Sequence, residues 1–514
     1  MLSNRAMPEA TETEKALRAD VARLAAELGE SRKQIKLLEE KIDALVKRLF
    51  GAASEKLNSA DLQMLLKGIV DVPKPEEPVA AEVPQRSKAP LPPRKRQPRT
   101  PENLPIVEEV IVPELVKSCP EAWRRIGEEV TELLDYEPAR FFKQRIVRPK
   151  YVRKDHPFSA PVIAPLQTLQ ERCVAAPGLI AAIIVGKYVD HLPLYRQEQI
   201  FASRHDVHLP RQTMAQWMGL AADWLKLIYR QMRHETLAAD YVMVDETPIE
   251  YLAPGYGETR LGYLWVSTRP GADTIFHWNT GRGSECLDAV FPEGWKGTLQ
   301  CDGYQAYRTF AKRRPGLIVL AGCWAHARRA LLDGLASEPR ICGWLLNLIA
   351  HLYRIEAVLR ASRAGPKLRE VVRKWQSAPI LERLQAALIK LQNRYLPQSA
   401  LSKGINYILE HWPELTRFVE NGRIEIDNNI VENAIRPTAI GKKNWLFIGA
   451  ADAGERGAIL YTIVEACRRR GLNPIEYLRD VLERLPRMKT SQIPEVTPGA
   501  WAKARRSPQM LRAA

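Results

Sequence analysis

Cysteine is scarce and scattered in this chain of 514 residues. Seven are present, Cys119, Cys173, Cys286, Cys301, Cys323, Cys342 and Cys467, and no two form a CxxC pair. An odd, dispersed set argues against a disulfide framework and against a four-cysteine zinc site. Also lacking are a secretory leader and any uncharged apolar run of about eighteen residues, so a soluble, cytoplasmic protein is expected. Acidic residues are in deficit: 60 Asp and Glu face 76 Lys and Arg, a formal net charge of +16. That excess suits a polyanionic partner, since each neutralised phosphate releases counterions. A merely solvated basic surface has the same composition.

The length calls for several folded pieces. The N-terminal segment carries a heptad: Val21, Leu28, Ile35, Ile42 and Leu49, with Leu17, Leu24, Ser31, Leu38 and Leu45 as companions. Only Ser31 breaks the apolar series, so residues 10–70 are expected to form a self-associating coiled coil. Residues 71–105 are proline-rich and turn basic at Arg94-Lys95-Arg96, which reads as an extended linker. Its cations either track a DNA backbone or are simply solvated.

A mixed module with strand-like pieces follows over 106–161. Residues 195–204 then read as one helix, 205–209 as a turn and 210–218 as a second helix with Pro210 in its first turn. This helix-turn-helix outline, within a region 177–235, offers Arg211, Gln212, Thr213 and Gln216 to base edges. Strand character takes over at 241–245, 261–267 and 274–278. A short helix at 284–290 leads to strands at 298–302 and 317–321. From 326 to about 420 the sequence is nearly all helical, and strand-like residues return only at 445–448. The layout is a multidomain α and α/β protein, with a mixed-sheet domain over 236–450 that carries a long helical insertion. A helical segment (451–490) and a basic tail (491–514) close the chain.

Three acids are candidates for chemistry: Asp245 and Asp302, each ending an apolar strand-like run, and Glu432 in a later helical stretch. Carboxylates brought to about 4 Å repel by about 4 kcal/mol per pair at an effective dielectric near 20, so only a cation or a proton lets them converge. Three that do converge would hold a pair of divalent metals for phosphodiester chemistry. Strand-end aspartates also occur without any such role.

Several motifs resolve the choice. Val244-Asp245-Glu246-Thr247-Pro248, Cys301-Asp302-Gly303-Tyr304 and Gly322-Cys323-Trp324-Ala325-His326-Ala327-Arg328-Arg329 resemble segments of transposases of the insertion sequence 66 family. So do Asp427-Asn428-Asn429-Ile430-Val431-Glu432-Asn433-Ala434-Ile435-Arg436-Pro437 and Gly441-Lys442-Lys443-Asn444-Trp445-Leu446-Phe447. Lys187-Tyr188-Val189-Asp190-His191-Leu192-Pro193-Leu194-Tyr195-Arg196-Gln197 looks like the family's segment ahead of its catalytic domain. The resemblance runs in order from the N-terminal heptads to about residue 485.

It implies a DDE transposase with an RNase H-like core, in which Asp245, Asp302 and Glu432 form the metal-binding triad. Asp302 follows Asp245 by 57 residues and Glu432 follows Asp302 by 130, the second gap being the helical insertion. The implied cofactor is Mg²⁺, with Mn²⁺ as an alternative, as two ions. The implied chemistry is hydrolytic nicking at the element's ends, then attack of the freed 3′-hydroxyl on target DNA. Expected partners are DNA ends, target DNA, further copies of the chain and small accessory proteins encoded beside it, in the bacterial nucleoid.

Supporting roles are expected nearby. Arg436, four residues after Glu432 on a helix, orients that carboxylate, holds a phosphate or forms an ordinary ion pair. Asn428 and Asn429 are placed to cap the helix. Lys442 and Lys443 contact a DNA backbone or are solvated. Cys323 and His326 supply only two of the ligands a zinc site needs, so they are expected to position the active site without metal. The family's zinc module, two CxxC pairs ahead of the helix-turn-helix, survives here only as Cys119, so zinc is expected to be absent there. Two further readings stay open: a decayed DNA-binding relative, and an RNase H-like nuclease without strand transfer.

Overall fold

In the computed structural model the described residues are 104–512, without 138, 139, 254 and 256, together with the isolated Arg23 and Gly29. The expected coiled coil and basic linker lie outside the described residues. Two compact units divide the chain. One is Trp324–Gly422; the other is built from the described residues before and after it.

The larger unit begins with strand β1 (Ile106–Val110), a single helical turn α1 (Glu114–Ser118), and a long hairpin of β2 (Trp123–Glu137) and β3 (Arg140–Arg153). β1 runs parallel to β3, and the short β4 (Val162–Ile163) pairs with β3 antiparallel. The core here is small, centred on Leu133, Ile146 and Ala176. Cys119 is exposed, and among the described residues no group of three or more potential metal ligands includes it.

Helices α2 (Pro177–Tyr188), α3 (Leu194–His205) and α4 (Arg211–Leu237) follow. Asp206 takes a left-handed conformation after α3, and Val207 and Leu209 bury themselves in the turn. Pro210 caps α4 rather than lying in its first turn. The second helix is 27 residues long, three times the span expected from its first turns. Its apolar positions, from Met214 through Leu225 and Ile228 to Met232, keep the 3.6-residue period and carry it beneath the next sheet. There Tyr229 Oη donates to Phe276 O at 3.0 Å, and Arg233 donates to Ala289 O at 2.7 Å.

That sheet comprises β5 (Tyr241–Leu252), β6 (Thr259–Thr268), β7 (Ile275–Asn279), β8 (Gly297–Gln300) and β9 (Ile318–Ala321), with helices α5 (Cys286–Val290) and α6 (Gln305–Arg313) on one face. Strand order is β7-β6-β5-β8-β9. The first three form an antiparallel meander; β8 and β9 run parallel to β5. Val242, Val244, Trp265, Leu299 and Cys301 pack with Leu287, Tyr307 and Phe310 to make the principal core.

β5 does not stop at Asp245 as the apolar run suggested. It continues to Leu252 because β6 pairs with it all the way from Met243↔Thr268 to Leu252↔Thr259. Pro248 is tolerated there because its missing N–H faces the edge away from β6.

The smaller unit is helical: α7 (Trp324–Leu332), α8 (Pro339–Ala361), α9 (Pro366–Val372), α10 (Ala378–Leu391), α11 (Ala400–Glu410) and α12 (Trp412–Glu420). Its polar centre is Arg373, fully buried, which binds both oxygens of buried Glu356 at 2.7 and 2.8 Å and donates to Phe418 O at 2.7 Å. The chain then returns to the larger unit as α13 (Asn429–Trp445), β10 (Phe447–Ala450), α14 (Ala451–Arg469), α15 (Pro474–Arg484) and α16 (Pro498–Arg512). Strand-like residues are expected over 445–448, but Trp445 belongs to α13 and the strand begins at Phe447, after Leu446 ends α13 in a positive-φ conformation.

Candidate active site

The open edge of β5 organises the site. At its start this edge bonds β8 through residues 241–243; at its far end it bonds β10 at Glu250 and Leu252. Between these, Val244 and Pro248 turn their carbonyls toward α13. Asn428 Nδ2 donates to Val244 O at 2.9 Å, and Lys442 Nζ donates to Pro248 O at 3.0 Å. Two side chains of the returning segment thus satisfy strand carbonyls that no strand covers.

Register brings two acids level. β5 and β8 pair in parallel with Tyr241 opposite Thr298, an offset of 57 residues that also separates Asp245 from Asp302. Side-chain alternation then puts both acids on one face, the face on which Tyr241 Oη meets Gln300 Oε1 at 2.5 Å. Asp302 sits just past β8 and accepts from the backbone N–H of Tyr304 at 2.9 Å. Glu432 lies in the first turn of α13.

A buried clasp holds the returning segment. Gln300, with no exposure, donates through its amide to Gly322 O at 2.9 Å and to Glu425 O at 2.8 Å. Gly322 precedes the helical unit in sequence and Glu425 follows it, so one side chain ties exit to re-entry. Tyr241 Oη also accepts from Glu425 N at 3.0 Å. Asn428 N donates to Cys323 Sγ at 3.2 Å, and Cys323 Sγ lies within 4.8 Å of a Glu432 oxygen.

The electrostatics register the crowding. Burial first, then the charges of Glu246, Asp302 and Glu432, push the Asp245 carboxyl up to about 8, against the pull of the Glu246 N–H. Glu246 is a fourth acid, which the sequence reading passed over. Burial raises it, while Tyr307 Oη donates to one oxygen and Arg282 pairs with the other at 2.8 Å. Arg282 stacks 4.0 Å from the Tyr304 ring centroid. The adjacent Asp-Glu pair was the available signal for Glu246; nothing local pointed to Arg282, Tyr307 or Gln300.

The other expected residues fall as follows. Asn428 occupies the N-cap position of α13, yet its side chain does not cap; it is committed to Val244, and Asp427 accepts the Asn429 N–H at 3.2 Å instead. Arg436 and Lys443 are exposed. Lys442 is partly buried and bonded to the strand. Cys323 is buried; His326 falls in the first turn of α7, within the helical unit. Arg211, Gln212 and Gln216 are exposed at the start of α4, with Thr213 partly so.

The donor set suits a hard divalent cation. Asp245, Asp302 and Glu432 supply carboxylate oxygens, and the raised Asp245 value reflects its burial first and then the charges of Glu246, Asp302 and Glu432. Asn428 Oδ1 is a buried acceptor without a hydrogen-bond partner beside them.

Comparison with known proteins identifies the family of the chain. Residues 172–456 match the family model described as Transposase IS66 family, residues 462–498 match the IS66 C-terminal element, and residues 37–109 match the model described as Transposase C of IS166 homeodomain. Among curated relatives, the uncharacterized protein y4jD of Sinorhizobium fredii (strain NBRC 101917 / NGR234) is 34% identical, over 89% of this chain and 93% of its own. The uncharacterized protein y4qI of the same organism is 33% identical, over 91% of this chain and 89% of its own. With more than half its length covered by the family model, the chain belongs to the IS66 family of transposases.

Proposed function

We propose that this protein is a metal-dependent DNA transposase that cleaves the ends of its element and joins them to target DNA through Asp245, Asp302 and Glu432. The observation that carries the reading is the convergence of these three carboxylates at the open edge of β5, in a chain of this family. Strand order β7-β6-β5-β8-β9, three antiparallel strands followed by two parallel ones, supports an RNase H-like core.

Two Mg²⁺ ions held by these carboxylates would activate the attacking hydroxyl and stabilise the leaving oxygen. The chain's own residues do the rest. Asn428 and Gln300 hold the Glu432 helix against β5 and β8, so the acids stand preorganised before DNA arrives. Arg282 pairs with Glu246 and offsets part of that fourth charge, the remainder of which still presses on Asp245. Exposed Arg436 and Lys443 can neutralise backbone phosphates, while Arg211, Gln212, Thr213 and Gln216 read base edges. Further copies, recruited through the N-terminal heptads, and accessory proteins encoded nearby complete the assembly.

The test is cleavage and strand transfer on a plasmid carrying the DNA that flanks the coding sequence, with Mg²⁺ and the neighbouring small proteins supplied. Wild type should nick and join; Asp302→Asn should bind the same DNA and do neither. Full activity in that variant would overturn the site assignment. Cleavage without joining would instead support a nuclease.

A further inference from the structure

A cavity of about 600 Å³ opens where the end of α2 and the start of α4 meet the junction of α13 with β10. Its wall includes Lys187, Tyr188, Arg211, Gln212, Trp445 and Arg456. Lys187, Tyr188 and Trp445 come from the two family-like motifs, 187–197 and 441–447, and none of the three has a part in the acid cluster.

Lys187 is the anomaly. It is only 9% exposed, and burial alone lowers its ammonium from the ordinary value; no carboxylate raises it again. Its partners are two rings, with Nζ 5.8 Å from the Tyr188 centroid and 5.9 Å from the Trp445 centroid. Such π faces return only part of what desolvation costs. Trp445 Nε1 is likewise buried without an acceptor. Leu446, beside it, is 61% exposed and held at φ 65° and ψ −55°, a strained conformation for a non-glycine residue. Strain and unpaired buried charge are tolerated where a ligand later makes use of them.

The wall chemistry selects that ligand. An unpaired ammonium with Arg211 and Arg456 at hand calls for an anion, yet the space is several times that of a phosphate. Aromatic rings beside the cations suit a base joined to the phosphate. Arg211 and Gln212 are also the exposed first residues of the helix offered to DNA.

We propose that this cavity receives one unpaired nucleotide of a DNA strand, its base against the aromatic wall and its phosphate toward Lys187 and Arg211. The proposal rests on the reading of the chain as a DNA-binding transposase. It gives the helix-turn-helix region a second mode of recognition, in which a strand is read where its bases are not paired.

The test uses the full-length protein, 2-aminopurine-labelled oligonucleotides as single strands and as fully paired duplexes, and the variants Lys187→Met and Trp445→Leu. Each variant should lose about tenfold in single-strand affinity, the scale of one lost stacking or phosphate contact. Duplex affinity should stay within about twofold of wild type, and Lys187→Met should melt no lower than wild type because it removes an unpaired buried charge. Undiminished single-strand binding in both variants overturns the proposal. So does an equal loss for duplex, which would mean that the residues merely support α4. Competition by millimolar thymidine monophosphate would overturn the assignment to a DNA strand in favour of a free nucleotide. Wild type that binds duplex but no single strand sinks the pocket alone; wild type that binds neither sinks the DNA-binding reading as well.

Discussion

Asn428 Nδ2 donates to Val244 O at 2.9 Å, joining the N-cap position of the Glu432 helix to the residue just before Asp245. Asp245 and Glu432 come from segments far apart in sequence, and this bond, together with those of Gln300 to Glu425 O and Lys442 to Pro248 O, holds their supports together.

Asn428→Ala should therefore damage both stability and chemistry. It leaves a buried strand carbonyl without a donor, which costs about 1–3 kcal/mol. A shift of about 1 Å in Glu432 should slow end cleavage by about 100-fold. Thermal melting and cleavage rates check this: a variant with normal cleavage would show that α13 is held by other contacts.

Metal binding should be visible as stabilisation. Without divalent ions, Asp245 is pressed by Glu246, Asp302 and Glu432 in a buried setting. Asp245→Asn removes one of these charges, so the metal-free variant should melt above metal-free wild type. Mg²⁺ at about ten times its dissociation constant should stabilise wild type by about 1.4 kcal/mol and the variant far less. Equal Mg²⁺ responses would place the ion elsewhere.

Lys187 makes stability depend on alkaline pH. Burial lowers its ammonium from 10.5 to about 8 in the folded chain. Between those values the unfolded chain holds the extra proton, so stability rises with pH across this window; below about pH 8 both states are charged and the burial cost is fully felt. The rise amounts to about 3 kcal/mol at most. Lys187→Met should start more stable at pH 7 and lack the rise. Urea melts of both proteins at pH 7 and pH 9.5 give the comparison, and a constant difference between them would contradict the buried-charge account.

The helical unit should depend on one ion pair. Arg373 and Glu356 have no exposed side-chain surface, and Arg369 adds a third charge at 3.0 Å from Glu356. Arg373→Met leaves buried Glu356 half-neutralised, at a cost of about 3–5 kcal/mol. Adding Glu356→Leu to the same chain should recover most of that loss. Far-UV circular dichroism in urea reports both, and a single variant as stable as wild type would be the contrary result.

Much of the local structure was legible because it follows from periodicity. The helix turn at 194–237, the strands of the meander and the helical stretch after residue 323 all answer to apolar spacing and to Gly and Pro punctuation. The acids themselves stood out by type and context. Misreadings came where tertiary partners overrode local signals. β5 passes through Pro248 because β6 pairs its other edge, and α4 runs to Leu237 because a second sheet waits for its apolar face. Asn428 looked like a cap and instead became a tether, since an uncovered strand carbonyl lay within reach.

By itself the sequence determined the family, the basic character of the chain and the identities of Asp245, Asp302 and Glu432, because residue type and short-range order are written directly in it. Only the tertiary structure decided that Asp245 and Asp302 share a level and a face, which depends on the parallel register of β5 and β8. Only there, too, do Gln300 clasp Gly322 and Glu425, Glu246 find Arg282, and Lys187 lie unpaired between two rings. These are contacts between residues distant in sequence, and pairing across such distances is set by how whole elements pack rather than by any local pattern.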